Sequence, residues 1–238
     1  GAGPRCDDAS RSRAVASRQS VRLTIRYRDH QAIKHLARAQ YAEQYYILRP
    51  EKLDNIPFLG PDENTVERDY SFEEQPVGSP ALIFTNSLKD RCAADRVKEF
   101  IGAILFDGNN LVVKTALRDA LLDLEVPNMF MHSAIYIDDR DVWHEDYWFC
   151  TFTALFDCWD RTASDASTSF VKANGEKDYD VYKYVLNKEL LDKTPLKQRL
   201  LFKMGGTLEA FVFCHESIAG LFRRDMPNGA RLVLASDY

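Results

Sequence analysis

Hydrophobic and polar positions alternate in two different rhythms along this chain. Val21, Leu23, Ile25 and Tyr27 are interleaved with Arg22, Thr24, Arg26 and Arg28. A period of two puts the two sets on opposite faces, which predicts a half-exposed strand. Asp29 follows, placed to cap a short helix through Ile33, Leu36 and Ala37. The segment YYILRP, Tyr45–Pro50, predicts a second short strand stopped by its proline. The rhythm changes at Val113, Ala116, Leu117, Ala120, Leu121 and Leu124, which recur at helical spacing with Lys114, Arg118 and Asp123 between them. This predicts the clearest helix of the chain, capped by Asn109 or Asn110 and closed before Pro127.

The remaining pattern is mostly strand-like. Residues 56–80 carry Pro57, Gly60, Pro61, Pro76, Gly78 and Pro80, and read as a long connection rather than a regular element. Leu82–Thr85 reads as a strand, Ala93–Phe100 as a helical stretch, and residues 102–106 as a strand or a buried helix end. Phe130–Ile137 predicts a strand that ends in a polar turn, DDRDVWHED, at residues 138–146. Strands are further expected at Val181–Leu186, Leu200–Lys203 and Ala210–Phe213, and a helix at Ser217–Arg223. A Pro227-Asn228-Gly229 turn leads into a last strand, Arg231–Leu234. Strands outnumber helices and several connections are hairpin-like. The fold class expected is α+β, a largely antiparallel sheet with a few packed helices.

Charge divides the chain. Residues 1–44 hold nine Lys or Arg against four Asp or Glu, whereas residues 45–238 hold 22 against 32. The expected organisation is a basic N-terminal arm or extension, 1–44, ahead of a single α+β domain, 45–238. Residues 1–17, rich in Arg, Ser, Gly and Ala, read as a disordered arm or as an organelle transit segment. The arginine face at 22–28 could meet nucleic acid, but it lacks interleaved aromatics and precedes an acidic body, so a solvated strand face is the better reading. No run approaches the roughly 18 apolar residues of a membrane span, and no secretory signal is visible. The five cysteines contain no CxxC pair, which fits reduced thiols and a cytoplasmic location.

The block Tyr147–Ser164, YWFCTFTALFDCWDRTAS, changes from aromatic to polar within a few residues. Cys158 and Arg161 suggest a phosphatase loop, but they stand too close for both to reach one phosphate. The residue at the required nucleophile position is Leu155, and the glycines that present backbone amides to an anion are missing. A structural turn is the better reading, with Asp157 or Asp160 capping it or pairing with Arg161. The aromatic positions Tyr147, Trp148, Phe149, Phe152, Phe156 and Trp159 read mainly as core. His144-Glu145-Asp146 and His215-Glu216 each begin like a zinc-protease helix, yet Trp148 and Ala219 occupy the position of the second histidine. A metal-assisted hydrolase would need His132 and His144 to converge with Asp138 or Asp141, with Glu145 beside them. No GxSxG, P-loop or GxGxxG is present. Gly205-Gly206 reads as a tight turn between strands, and Ser217 as a helix-start residue.

Several of these segments together resemble a bacterial polymorphic-toxin immunity family, the eleventh in its catalogue and formerly a domain of unknown function. The likeness lies in the YYILRP strand at Tyr45–Pro50, the helical LVVKTALRDALLDL at Leu111–Leu124, and the aromatic strand followed by Asp-x-x-Asp-Arg within Tyr147–Ser164. The segments Val185–Leu191 and Arg199–Phe222 resemble the family's closing strand-and-helix section. The resemblance covers about residues 45–235. It implies a binding protein without catalytic residues, metal or cofactor, which neutralises by stoichiometric binding a secreted antibacterial toxin encoded by a neighbouring gene.

The acidic body suits that role. Carboxylates crowd residues 62–74 and 138–146, and an acidic patch speeds encounter with a basic partner. The residues expected to contact a toxin are Asp138, Asp139, Asp141, Glu145 and Asp146. Simple solubility is the competing explanation for the same charges.

Overall fold

The computed structural model describes residues 41–224 and 227–238. The alternating segment Val21–Tyr27 and the cap expected at Asp29 lie outside the described residues. The described chain opens with β1 (Tyr45–Pro50), β2 (Leu59–Pro61), α1 (Glu63–Val66), β3 (Leu82–Asn86) and α2 (Lys89–Asp95). It continues with β4 (Ile104–Asp107), β5 (Asn110–Lys114), α3 (Thr115–Leu122), β6 (Met129–Ile137) and β7 (Trp143–Phe152). Then come β8 (Asp165–Val171), β9 (Lys177–Lys183), α4 (Lys188–Lys193), β10 (Leu201–Lys203), β11 (Val212–His215), α5 (Ala219–Arg223) and β12 (Ala230–Leu234).

The strands form a four-stranded sheet in the order β10-β11-β1-β12, a six-stranded sheet in the order β2-β3-β6-β7-β5-β4, and a separate β8-β9 hairpin. Among the described strands, all pairings are antiparallel except β3 with β6. The class is α+β with mostly antiparallel sheet, as the pattern predicts.

Strand alternation distributes the apolar side chains over three cores. Leu48, Leu201, Val212 and Cys214 of the smaller sheet meet Ile104, Phe106, Val113, Cys150 and Phe152 of the larger one. Helices α3 and α5 close that core with Leu121 and Phe222. On the far face of the smaller sheet, Tyr45, Ile47, Phe202 and Phe213 pack with Trp159, Tyr184 and Leu191. On the far face of the larger sheet, Phe84, Val112, Tyr136, Tyr147 and Phe149 lie under Leu59 and Tyr70. A strand covered on both faces reads as an unbroken apolar run. This explains YYIL in β1 and the aromatic half of the Tyr147–Ser164 block. Each fully buried large side chain contributes about 1.5–3 kcal/mol.

Several expected boundaries shift for physical reasons. The helix expected from Asn109 or Asn110 begins only at Thr115, because Leu111–Val113 pair as β5 between β4 and β7. A short apolar, β-branched run is ambiguous by periodicity alone, and here sheet pairing on both sides decides it. The helix placed at Ala93–Phe100 lies earlier, at α2, which ends where Arg96 turns left-handed at φ 55° and the Val97 N–H bonds the Cys92 carbonyl at 2.9 Å. The connection at 56–80 contains β2 and α1, the helix being capped by Asp62, whose Oδ1 accepts from the Thr65 N–H at 2.8 Å. The strand expected at Val181–Leu186 is displaced to β9, with Leu186 only in an isolated bridge to Trp159. The β8 strand and helix α4 come from segments without a clear apolar rhythm.

Candidate functional site: the acidic turn between β6 and β7

The polar stretch 138–146 divides in two. Residues 138–142 form the turn, and β7 already begins at Trp143, so His144, Glu145 and Asp146 are strand residues. Asp138 organises the turn from within. Its side chain is shielded from solvent. Oδ1 accepts the N–H groups of Arg140 and Val142 at 2.8 and 2.9 Å. Oδ2 meets Arg140 Nη2 at 3.1 Å and His144 Nε2 at 3.2 Å. Burial alone would raise this carboxyl, but the Val142 N–H, His144 and Arg140 outweigh it and hold the group down to about 2. The turn closes through the Asp141 N–H to the Asp138 carbonyl at 2.9 Å, with Asp141 at φ 61°. Aspartate is among the few residues that tolerate this conformation.

Asp138 is thus a framework residue, its two oxygens occupied inside the chain. The other four expected contact residues reach the surface. Asp139 accepts the Asn86 amide at 3.2 and 3.3 Å and is half-buried. Asp141 is exposed and pairs with Lys89 at 2.8 Å. Glu145 and Asp146 are both exposed, Asp146 pairing with Lys114 at 3.2 Å.

Their outward aim has a backbone cause. The register runs from Ala134 opposite Tyr147 to Tyr136 opposite His144. Glu145 and Asp146 therefore stand together opposite the single residue Ile135. Such a bulge re-aims side chains and interrupts pairing. The same end of the sheet carries unshielded apolar surface. Ile135 and Ile137 share the face of β6 that Trp143 continues across the strand pair, and Trp143 is 54% exposed with Val142 at 47%. Farther along, Trp148 on β7 donates to Thr115 Oγ1 at 3.1 Å and lies under the Arg118 guanidinium at 4.0 Å, so α3 covers that part and leaves Trp143 open.

Beside the turn lies a cleft of about 660 Å³, lined in part by Lys89, Val97, Glu99, Ile101, Asp139 and Arg140. Glu99 is nine-tenths buried. It accepts a hydrogen bond from the Tyr136 hydroxyl, and its Oε1 accepts the Asp139 N–H at 2.6 Å. Burial and the Glu99 carboxylate both push the Tyr136 phenol up, so it remains a donor. Sequence reading did not single out Glu99, Trp143 or the cleft. An isolated tryptophan within a run of charges was the available signal for Trp143. Glu99 had none, because its partner Tyr136 lies on another element.

The other candidates resolve into framework. His132 and His144 do not converge, because His132 lies opposite Phe149 and His144 opposite Tyr136. His132 Nε2 instead lies 3.2 Å from Arg68 Nη2 and 2.9 Å from the Pro80 carbonyl. Among the described residues no group of three or more His, Cys, Asp or Glu is placed to hold a metal ion. The Cys158 thiol is buried, and burial with the Asp157 charge pushes it far up, away from the thiolate a nucleophile requires. Arg161 grips Asp157 at two points and lies 4.3 Å over the Trp159 ring. Asp160 Oδ1 accepts the Thr162 and Ala163 N–H groups at 2.9 and 3.1 Å. His215 ends β11 by accepting the Ser217 N–H on Nδ1 at 3.2 Å. No described helix is long and apolar enough to cross a membrane. No protein-family model and no curated protein matches the chain.

Proposed function

We propose that this chain is an immunity protein that binds a toxin encoded by a neighbouring gene and neutralises it by stoichiometric inhibition in the cytoplasm of the producing cell. The observation that carries this reading is the exposed Trp143 beside Val142, set among the carboxylates Asp141, Glu145 and Asp146. Exposed tryptophans with a polar rim are the residues that dominate protein–protein affinity. The turn that presents them is held by four bonds to Asp138, and a rigid interface loses less entropy on binding. The carboxylate rim selects for a basic partner and raises its encounter rate. The resemblance of residues 45–235 to the immunity family supplies the biological setting.

The test is co-expression of this chain with the product of the gene beside its own. The expected result is co-purification in fixed proportion and survival of cells that otherwise die from that product. Survival without a complex, or a complex without survival, would sink the proposal.

A further inference from the structure

The cleft beside the turn is lined by two carboxylates, Glu99 and Asp139, that form no ion pair among the described residues. Lys89 and Arg140, at its rim, are already paired with Asp141 and Asp138. Glu99 and Asp139 stand in no such ion pair, although the Lys89 ammonium, raised chiefly by its bond to Asp141, also feels the Asp139 charge. The donors that reach them are the Tyr136 hydroxyl, the Asp139 N–H and the Asn86 amide. Among the described residues no cation pairs with either carboxylate. A carboxylate offers about four acceptor sites. Glu99 uses two of them and is nine-tenths buried. Burying a carboxylate is costly unless a partner charge or a full set of bonds compensates it.

The rest of the cleft is matched to a long side chain. Val97, Phe100 and Ile101 supply apolar wall, with Ala93 of α2 near them. An alkyl stem could lie along that wall while a charged head reached Glu99, as amphipathic cations do. The volume of about 660 Å³ is ample for one such group.

We infer that this cleft receives a cationic side chain of the toxin, an arginine or a lysine, whose head pairs with Glu99 and Asp139. The inference rests on the toxin-binding reading and specifies one anchor of that complex. A guanidinium suits the pair best, because its fork presents donors to two carboxylates at once. Lys98, exposed at the rim, would meet acidic groups flanking that side chain.

Two measurements test it. In the first, the purified chain is titrated with N-acetyl-arginine amide and with its neutral isostere, N-acetyl-citrulline amide, while backbone amide resonances are followed. The expected result is that only the arginine compound shifts residues 97–101 and 139–140, and that Glu99→Gln weakens it about tenfold or more. Equal shifts from the citrulline compound, or undiminished binding to a folded Glu99→Gln protein, overturn the inference. In the second, Ala93→Trp narrows the cleft and leaves both carboxylates in place. This variant should bind the neighbouring gene's product about tenfold or more weakly. If the complex forms at undiminished affinity with both variants, the cleft inference fails and the immunity reading stands. If the arginine compound binds the cleft but no complex forms with the wild-type chain, the immunity reading fails and the cation site stands.

Discussion

His144 Nε2 stands 3.2 Å from Asp138 Oδ2, across a turn whose central carboxylate sees no solvent. The pair ties the first residue after β6 to the second residue of β7. Asp138 titrates near 2 when folded and near 3.9 when unfolded. A lowered carboxyl stabilises the fold fully above the unfolded value and loses that contribution as pH falls through the folded one. The stability advantage of the wild-type chain over Asp138→Asn should therefore shrink as pH falls between about pH 4 and pH 2. Near neutral pH the substitution should cost about 1–3 kcal/mol, the penalty of unmaking buried hydrogen bonds. Urea unfolding of both proteins across that range would show it, and a pH-independent difference would exclude Asp138 as the titrating group.

Trp143 separates affinity from stability. It is 54% exposed, at the end of a strand whose inner residues carry the packing. Trp143→Ala should change unfolding free energy by no more than about 0.5 kcal/mol. The same change should weaken toxin binding by about 2 kcal/mol or more, roughly thirtyfold. Calorimetry of binding and thermal melts of the free chain measure the two numbers. A large loss of stability with unchanged affinity would make Trp143 a structural residue and remove the main support for this interface.

The two exposed acids of the bulge should act on rate. Glu145 and Asp146 sit opposite a single residue, Ile135, and both face solvent. Rim charges alter association more than dissociation. Glu145→Lys with Asp146→Asn should slow association with a basic toxin by about tenfold at low salt and leave dissociation within about twofold. Raising ionic strength should slow the wild-type association toward that of the variant, because screening at about 0.15 M reduces steering. Stopped-flow binding at several salt concentrations would detect it. A variant that binds as fast as wild type at low salt would leave these charges with solubility alone.

Local signals carried much of the fold, and tertiary pairing carried the rest. The last turn was legible because it needs its residues. Asn228 donates its amide to the Phe222 carbonyl at 2.9 Å, and a Cβ on Gly229, at φ 102°, would fall 2.0 Å from the Ile104 carbonyl oxygen. The YYILRP strand was legible from its apolar run and its proline. Leu111–Val113 misled because three apolar residues fit a strand or a helix equally, and only the flanking strands β4 and β7 decide between them. The acidic turn was visible as composition. The sequence could not tell that Asp138 folds inward, held by Arg140, Val142 and His144, or that a bulge in the pairing turns Glu145 and Asp146 outward. Glu99 was invisible for the same reason: its bonds go to Tyr136 and Asp139, far along the chain.

The Asp157–Arg161 pair should show its worth through a glycine. Gly206 follows β10 at φ 67°, and an added Cβ would lie 2.1 Å from Arg161 Nη2 and 2.9 Å from Asp157 Oδ2. Gly206→Ala therefore meets both backbone strain and a collision. It should destabilise by more than about 1 kcal/mol. Arg161→Ala should cost about 1 kcal/mol or less, because the ion pair is partly exposed. The double variant should recover part of the glycine's penalty, since the guanidinium that Cβ strikes is gone. Chemical unfolding of the three proteins gives the cycle. Strict additivity would mean that strain at φ, not the contact, sets the cost.

Lys203 supplies a second pH dependence, at the alkaline end, from a charge whose burial costs stability. It lies on β10 with 3% of its surface exposed, bonded to Asn110 Oδ1 and 4.5 Å over the Phe72 ring. Burial lowers its ammonium to about 8, against a smaller opposing pull from Asp107. The unfolded value is about 10.4. Between those two values the unfolded chain binds more protons than the folded one, so stability rises with pH there. The cost of burying the charge is complete below about pH 8 and fades toward pH 10. Lys203→Met keeps the stem and removes the charge. It should be more stable than wild type near neutral pH, and the gap should close as the pH approaches 10. The Asp107 carboxyl that faces Lys203 is itself raised, chiefly by burial. Urea unfolding of the two proteins between pH 7 and pH 10 is the measurement, and a constant gap would show that the charge of Lys203 is fully compensated in the folded chain.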